Sequence, residues 1–396
     1  MPTVVVLKRG KAGSILQGYP WVFEGWIARI KGEIEDGQAV DVLDWREAFV
    51  ARGVFNRASK IRLRIFSRER DTSFDRNLLA TRLDRAIRLR EDVLALREQS
   101  DAYRIVHSDG DGLPGLVVDR YGDLIVAQIS SLAIERLRDD LIEILQDRLS
   151  PAALLERQDE RARRWEGLAP SEGMISGTTP AGPVEIREGG VRFLLDPTRG
   201  QKTGFFLDQR DNRAAAARYA RGARVLDGFC FTGAFGIVAA ARGGASSIYG
   251  FDSSAGAVSL AQRNAALNGI ESAVFEKRDA FEELRRLAGA GERFDMVILD
   301  PPKFSPTRKD RDVASRAYRE VNLQALRMLS PGGILVSCSC SAAIVDYALE
   351  AVVASAARDA GREIQILERR GQGPDHPVPP GFPEGRYLTC LILRAH

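Results

Sequence analysis

The chain has 396 residues, 44% hydrophobic and 28% charged with a net charge of +3, a composition that excludes collagen, coiled-coil and largely disordered proteins. Its four cysteines lack paired Cys-x-x-Cys or His spacings and only three histidines are present, so we expect no metal ion and no disulfide. The N-terminal apolar run is too short for a signal-peptide core and the longest uncharged apolar run, GFCFTGAFGIVAAA, is too short for a bilayer span, which predicts a cytoplasmic protein with no membrane partner.

At this length two or three domains are expected, and the first is a small β-barrel over residues 1–72. Short β-type segments, TVVVL, WVFEGWIARI, QAVDVLD, FVARGVF and IRLRIF, are separated there by Gly, Asp and Asn turns. Between Arg52 and Arg90 the chain has twelve Lys or Arg and four Asp or Glu. Such a patch could neutralise RNA phosphates, with Arg62 and Arg64 as candidates, but a solvated Arg-rich face explains the charge equally well.

Residues 73–187 are predicted to form a mixed α+β domain. A helix from about Asp75 to Gln99 is apolar at helical spacing, with arginines between the apolar positions. The strand-like runs YRIVHSD, GLVVDRYGD and LIVAQI follow, and then a second amphipathic helix through LAIERLRDDLIEILQDRL.

From residue 188 to 396 strands alternate with helices, which is typical of a doubly wound parallel sheet and makes the fold class α/β. The predicted strands are RVLD, SIYGFD, AVFEKRD, FDMVILD, GGILVSCSC, EIQILERR and YLTCLILRAH. Four successive strands end in Asp227, Asp252, Asp279 and Asp300, and ligands of such sheets bind beyond the carboxyl ends of the strands. One such acid is usually a helix cap, but four in series favour a ligand site.

The first strand-to-helix turn, DGFCFTG, contains Phe229, Thr232 and Gly233 and lacks the G-x-G-x-x-G fingerprint of dinucleotide folds. Asp252 is placed to accept hydrogen bonds from ribose hydroxyls, and Asp279, which precedes Ala280, from an adenine amino group. A nucleoside without a pyrophosphate suits these groups, so the pattern predicts S-adenosylmethionine rather than NAD.

The fourth strand continues into Asp300, Pro301, Pro302, Lys303 and Phe304, and the fifth ends in SCSCS. The prolines stiffen the loop, which presents the Asp300 carboxylate to a planar substrate, and Phe304 could support an extruded base. A strand cysteine is usually packing, but Cys340 beside this loop has a specific use. Carbon 5 of cytosine becomes nucleophilic only after a thiolate adds to carbon 6. Cys338 points to the same face of the strand, and we prefer Cys340 because it is nearer the active edge.

These motifs together resemble the bacterial 23S rRNA cytosine methyltransferases of the RlmI type over essentially the full length. The ordered segments are SDGDGLPGLVVDRYGD, LLERQDERARRWEGL, GQKTGFFLDQRDNR, the Gly233 turn, DPPKF and SCSCS. The resemblance implies a PUA domain, an EEHEE domain and a class I, Rossmann-like methyltransferase domain. It also implies 23S rRNA as partner, Cys340 as nucleophile and S-adenosylmethionine bound by the Asp227 turn, Asp252, Asp279 and the Asp-Pro-Pro loop. The residues that it further implies to lie near this cofactor are Lys202, Gly204, Phe205 and Gln209.

Two other interpretations stay open. The methyl group could go to a nitrogen of an RNA base, because Asp-Pro-Pro loops also occur in nucleic-acid N-methyltransferases, and Cys340 would then be structural. A catalytically silent RNA-binding or assembly factor could retain the same fold. The sequence names no base for removal of the carbon 5 proton, and it is compatible with a homodimer without determining the oligomeric state.

Overall fold

A computed structural model describes residues 3–178, 180–197, 204–304, 311–341 and 343–396. The chain divides into two compact units. The first consists of Met1–Val184, Asp196–Phe205 and Pro374–Gly385, and the second of Glu185–Leu195, Phe206–Gly373 and Arg386–His396. The first unit contains both predicted N-terminal domains without separating them, so their boundary near residue 72 remains a prediction. Within the described residues, no helix combines the length and the apolar character that crossing a membrane requires.

The N-terminal sheet consists of β1 (Val4–Leu7), β2 (Trp21–Phe23), β3 (Ile27–Lys31), β4 (Ala39–Leu43), β5 (Phe49–Phe55) and β6 (Ile61–Ser67). Their order is β2-β6-β5-β4-β1-β3, and β1 pairs in parallel with β4 while the other pairs are antiparallel. A short helix, α1 (Ala12–Leu16), follows β1. Alternate residues of β4 are buried because one face of the sheet covers the core. The predicted N-terminal β-domain is confirmed.

A second sheet consists of β7 (Ala102–His107), β8 (Leu116–Tyr121), β9 (Leu124–Ile129), β10 (Ala153–Glu156) and β11 (Gly173–Ser176). Their order is β11-β10-β9-β8-β7, with only β9 and β10 parallel among these described strands. The helices of this region are α2 (Arg76–Arg88), α3 (Leu96–Gln99), α4 (Leu132–Glu135), α5 (Arg138–Leu149) and α6 (Glu160–Trp165). The mixed α+β character predicted for this segment is present.

The single helix predicted from Asp75 to Gln99 is wrong in its second half. Asp75 caps the start of α2 as expected, but a π-helical turn follows at Leu89–Val93 and Ala95 has a left-handed φ of 47°. Arg90, in the π turn, is fully buried and its Nη1 lies 2.6 Å from Asp111 Oδ1. The spacing of apolar residues cannot show that an arginine faces the interior. The Arg90–Asp111 ion pair occurs where the α-helix gives way to the π turn.

The third sheet has seven strands, β14 (Arg224–Gly228), β15 (Ser247–Asp252), β16 (Ala273–Lys277), β17 (Phe294–Leu299), β18 (Leu329–Ser339), β19 (Ile364–Arg370) and β20 (Thr389–Ala395). A hairpin of β12 (Val184–Glu188) and β13 (Val191–Leu195) precedes this sheet. The helices of the same region are α7 (Arg210–Ala217), α8 (Ala234–Ala241), α9 (Ala255–Leu267), α10 (Ala280–Gly289), α11 (Arg311–Met328) and α12 (Tyr347–Ala360).

The strand order β16-β15-β14-β17-β18-β20-β19 places a topological switch point between β14 and β17. Strands β14 to β18 are parallel, and β20 is antiparallel to both of its neighbours. The predicted doubly wound sheet is therefore confirmed. In such sheets the ligand crevice lies at the switch point, beyond the carboxyl ends of the strands.

Candidate active site

Three of the four predicted strand-end aspartates meet around the switch point. Asp227 is buried, and its Oδ2 accepts a 2.9 Å hydrogen bond from Gly236 N at the start of α8. Asp252 accepts from Phe231 N at 3.0 Å and from Ser254 N at 2.9 Å. Asp300 follows β17, and its charge is close enough to Asp227 to raise the pKa of that carboxyl, although burial contributes more. This concentration of negative charge suits a cationic ligand.

The fourth acid, Asp279, is exposed and acts as a helix cap. Its Oδ1 accepts from Glu282 N at 3.0 Å, in the first turn of α10, and Ala280 beside it is buried. Helix capping thus explains the hydrogen bond of one of the two carboxylate oxygens of Asp279. Contact of Asp279 and Ala280 with an adenine ring remains a prediction.

The turn after β14 has an unusual backbone. Phe229 and Phe231 have positive φ angles of 62° and 49°, and Gly233 has a φ of 79°. Non-glycine residues in this region cost about 1–3 kcal/mol each and cluster at ligand sites. Thr232, between them, is 1% exposed, and its hydroxyl has no hydrogen-bond partner among the described residues. A strained turn with an unpaired buried hydroxyl beside carboxylates fits a polar, positively charged nucleoside cofactor.

Asp227 makes the free energy of unfolding depend on pH. Burial raises the pKa of its carboxyl from 3.8 to about 7, against the hydrogen bond from Gly236. Between these values the native protein holds a proton that the unfolded chain has released, so the free energy of unfolding falls as pH rises from about 4 to 7 and levels off above. The contribution is on the order of 4 kcal/mol.

We expect Asp227→Asn to remove this component, because the amide oxygen can still accept from Gly236 and carries no charge. Urea unfolding of both ligand-free proteins between pH 4 and 8 measures it. The stability of the variant relative to the original protein should increase across the window, and two parallel pH profiles would contradict the assignment.

Cys340 lies beside the Asp-Pro-Pro loop, with its Sγ 3.9 Å from Pro301 O. Of the four cysteines, all within described residues, Cys340 alone is partly exposed. A hydrogen bond with Cys390 and burial raise the pKa of Cys338 well above its usual range, and burial does the same for Cys230. A raised pKa suppresses the thiolate, which is the reactive form. These differences support the predicted preference for Cys340 over Cys338.

An aromatic row lines the loop that follows β17. The ring of Phe304 is 5.9 Å from Phe229, 5.3 Å from Phe281 and 4.8 Å from Tyr318 between centroids. Phe304 was predicted from the sequence, whereas Phe281 and Tyr318 were not, since a helical pattern does not show which strand end a side chain will contact. Phe304 is half-buried in this row, whereas Pro302 and Lys303 are exposed and available to a substrate.

The KTGFFLDQ segment contributes a contact to the carboxylate that follows β17. Gln209 is buried, and its Nε2 donates to Asp300 Oδ1 at 2.9 Å. Gly204 and Phe205 are also buried, and Lys202 lies outside the described residues. Proximity of these four residues to a cofactor remains a prediction. Asn212, which bonds Gln209, was not singled out, although it lies in the quoted GQKTGFFLDQRDNR motif.

The two arginines proposed for RNA phosphates have intramolecular partners. Arg62 lies 2.7 Å from Glu24 and Arg64 lies 2.8 Å from Glu166, and each arginine side chain is only 12% exposed. Glu166 is buried and also accepts from Ser59 Oγ at 2.6 Å. These pairs support the structural explanation of the basic stretch at both positions, and RNA contact by either residue remains a prediction.

Arg64→Met is expected to lower the free energy of unfolding by about 3 kcal/mol, because the Glu166 carboxylate would stay buried without its counter-ion. Urea unfolding measures this, and Arg29→Met is the control since the Arg29–Glu47 pair is exposed. The salt dependence of RNA affinity should not change. A slope smaller by about one would instead identify Arg64 as a phosphate contact.

Among the described residues, no three or more His, Cys, Asp and Glu side chains are grouped in a way that could hold a metal ion.

Similar proteins were found by family, by sequence and by structure. A family model for S-adenosylmethionine-dependent methyltransferases matches residues 161–384, and one for PUA-like domains matches residues 5–68. Proteins named ribosomal RNA large subunit methyltransferase I are 43% identical in Tolumonas auensis and 41% in Shewanella denitrificans, over 100% and 98% of both chains.

Two solved structures cover 99% of this chain and of their own. A SAM-dependent methyltransferase from Streptococcus mutans has a TM-score of 0.83 at 19% identity, and a methyltransferase complexed with SAH has a TM-score of 0.84 at 18% identity. At these identities the two structures show the shared fold.

Proposed function

Because the chain belongs to the ribosomal RNA large subunit methyltransferase I family of S-adenosylmethionine-dependent methyltransferases, we propose that it methylates carbon 5 of a cytosine in 23S rRNA. The cofactor is S-adenosylmethionine, which supplies an electrophilic methyl group when bound. The PUA-like domain at residues 5–68 supports RNA as the substrate. A cytoplasmic location and a homodimer belong to the same proposal.

One observation carries the choice of carbon 5. The partly exposed Cys340 lies at the end of β18, 3.9 Å from the carbonyl of Pro301, which follows Asp300 directly. A thiol is needed next to a base-binding carboxylate only if the methylated atom must first be made nucleophilic. Methylation of a nitrogen, which already has a lone pair, does not require it.

In the proposed reaction, Asp300 binds the base and Cys340 activates it. Asp300 accepts a hydrogen bond at the pyrimidine edge, and the Cys340 thiolate forms a bond to carbon 6. The electron pair displaced from the 5,6 double bond makes carbon 5 a nucleophile, which would form a bond to the methyl group of the bound cofactor while the bond from that methyl group to the sulfonium breaks and the sulfur leaves as a neutral thioether. A base then removes the carbon 5 proton, and the pair left behind restores the double bond as the thiolate departs.

The cofactor pocket is proposed to use the strand ends described above. Asp252 would bind ribose hydroxyls, while the Asp227 turn with Phe229, Thr232 and Gly233 would surround the methionine moiety. Pro301 would border the transferred methyl group. The buried, unpaired hydroxyl of Thr232 supports this arrangement, since a polar ligand group would satisfy it.

The deciding experiment incubates the purified protein with unmodified 23S rRNA and methyl-labelled S-adenosylmethionine, then maps the product. Label at carbon 5 of a cytosine, at a site unmethylated in cells lacking the gene, is the expected result. Label on a base nitrogen would favour N-methylation, and no label on any ribosomal RNA substrate would favour the silent assembly factor.

A further inference from the structure

Three hydrogen bonds connect the edge of the seven-stranded sheet to Asp300. Arg370 Nε donates to Asn212 Oδ1 at 3.0 Å, Asn212 Nδ2 donates to Gln209 Oε1 at 2.6 Å, and Gln209 Nε2 donates to Asp300 Oδ1 at 2.9 Å. Asn212 is 0% exposed and Gln209 is 2% exposed. We call Arg370, Asn212 and Gln209 the amide relay. It runs from the last residue of β19, through α7, to the end of β17.

The direction of this chain of bonds is set by chemistry. A guanidinium only donates hydrogen bonds, so the Asn212 atom that faces Arg370 must be its oxygen. Asn212 Nδ2 also donates to Gly371 O at 3.0 Å, and a carbonyl only accepts. Two neighbours, one that only donates and one that only accepts, therefore determine the orientation of the Asn212 amide.

The orientation of the Asn212 amide also determines that of the Gln209 amide, which bonds Asp300. With its nitrogen toward Gln209, Asn212 requires Gln209 to present an oxygen to it and an amide N–H to Asp300. Arg370 is itself held by Glu368 Oε2 at 2.9 Å and by the carbonyl of Asp211 at 3.3 Å. The relay thus ends in an obligatory donor against Asp300, which favours the ionised, accepting form of that carboxylate.

We propose that the amide relay makes the site select cytosine over uracil. The inference rests on the proposed function, in which Asp300 faces the pyrimidine edge. Cytosine presents an amino donor at carbon 4 where uracil presents a carbonyl acceptor. A carboxylate can accept at about four lone-pair positions, so Asp300 can bind Gln209 Nε2 and further donors at the same time. A carboxylate that is kept ionised accepts from the cytosine amino group and repels the uracil oxygen.

Gln209, Asn212 and Arg370 are positioning residues in this scheme, since they act through Asp300. The expected preference of the original protein for cytosine is about a hundredfold or more in kcat/KM, because a site built to pair one polar group rejects its opposite.

Asn212→Asp tests the relay by exchanging an amide NH2 for an oxygen. The new carboxylate can still accept from Arg370 but cannot donate to Gln209, so the Gln209 amide turns and places its oxygen against Asp300. Asp300 must then take up a proton to make this bond. We expect the cytosine-to-uracil ratio of kcat/KM to fall by about tenfold or more, as loss of a specific base contact does. The acidic limb of the pH–rate profile should move to higher pH.

Gln209→Met is the second variant, because it removes the donor to Asp300 without burying a new charge. Asn268→Asp is the matched control, with the same chemical change at the end of α9, where the amide bonds Arg192 O at 2.7 Å. Affinity for S-adenosylmethionine by calorimetry should be the same in the original protein and in the two asparagine variants. Selectivity is measured with RNAs that carry cytosine or uracil at the mapped position.

Trapping with 5-fluoropyrimidine RNAs separates failure of the inference from failure of the proposed function. Fluorine at carbon 5 cannot leave as a proton does, so a methylated adduct with Cys340 accumulates. The inference is supported if the original protein traps 5-fluorocytosine RNA and the two relay variants lose selectivity against 5-fluorouracil RNA. Unchanged selectivity in both variants, with trapping intact, overturns the inference alone. No adduct between the original protein and 5-fluorocytosine RNA overturns both proposals.

Discussion

Cys340→Ala is expected to lose methyl transfer to RNA by on the order of 10⁴-fold or more, because removal of a covalent nucleophile eliminates the route through which the substrate is activated. Cys340→Ser should be nearly as inactive, since a serine hydroxyl is far less acidic than a thiol. Single-turnover transfer of labelled methyl groups measures both effects. Cofactor affinity should be retained, because the side chain acts on the base.

Cys338→Ala is the matched control, since Cys338 lies two residues earlier, inside β18, and is 1% exposed. It should retain most of the activity and lose some stability, as expected for a small buried side chain. The reverse pattern, an inactive Cys338 variant beside an active Cys340 variant, would transfer the nucleophile to Cys338. Full activity of both variants would favour methylation of a nitrogen.

Asp252→Ala is expected to weaken binding of S-adenosylmethionine by about a hundredfold or more. Hydrogen bonds between hydroxyls and a carboxylate are worth about 1.5–3 kcal/mol each, and the ribose offers two hydroxyls. Asp252 also accepts hydrogen bonds from Phe231 N at 3.0 Å and from Ser254 N at 2.9 Å. The substitution removes both bonds, so the turn after β14 loses a contact that holds it. Isothermal titration calorimetry with the ligand-free protein measures the loss.

Asp295→Ala is a suitable control because Asp295 accepts the same kind of backbone hydrogen bond at the amino-terminal ends of the strands, away from the proposed cofactor site. Its Oδ2 accepts from Arg224 N at 2.9 Å, at the start of β14. We expect a comparable loss of stability without a change in cofactor affinity. Equal affinities for the two variants would show that Asp252 supports the fold and does not bind the cofactor.

Local features account for the parts of this structure that could be predicted from the sequence. The strands predicted as SIYGFD and RVLD correspond to β15 and β14 within one residue, because continuous apolar runs bounded by turns are typical of buried parallel strands. Their acids fall at one edge of the sheet because parallel strands all end there. The approximate place of the site therefore followed from chain order.

The same local patterns failed where a charged side chain is paired in the interior. Arg90 sits in a helical pattern yet forms a buried ion pair with Asp111, and the predicted helix breaks soon after it. Arg64 belongs to a basic stretch yet is paired with the buried Glu166. A count of charged residues treats these arginines as available to a ligand. Their ion pairs, which only the structure shows, mean that they are not.

The α/β class, the alternation of strands and helices, the strand-end aspartates and the two cysteines near the Asp-Pro-Pro loop could all be predicted from the amino-acid sequence. These depend on hydrophobic period and turn chemistry, which are local. Only the folded structure shows which cysteine is accessible and that Arg370 and Asn212 orient Gln209 against Asp300. Burial depends on the whole fold, and the Arg370–Asn212 and Gln209–Asp300 bonds join residues 158 and 91 positions apart, which no local pattern encodes.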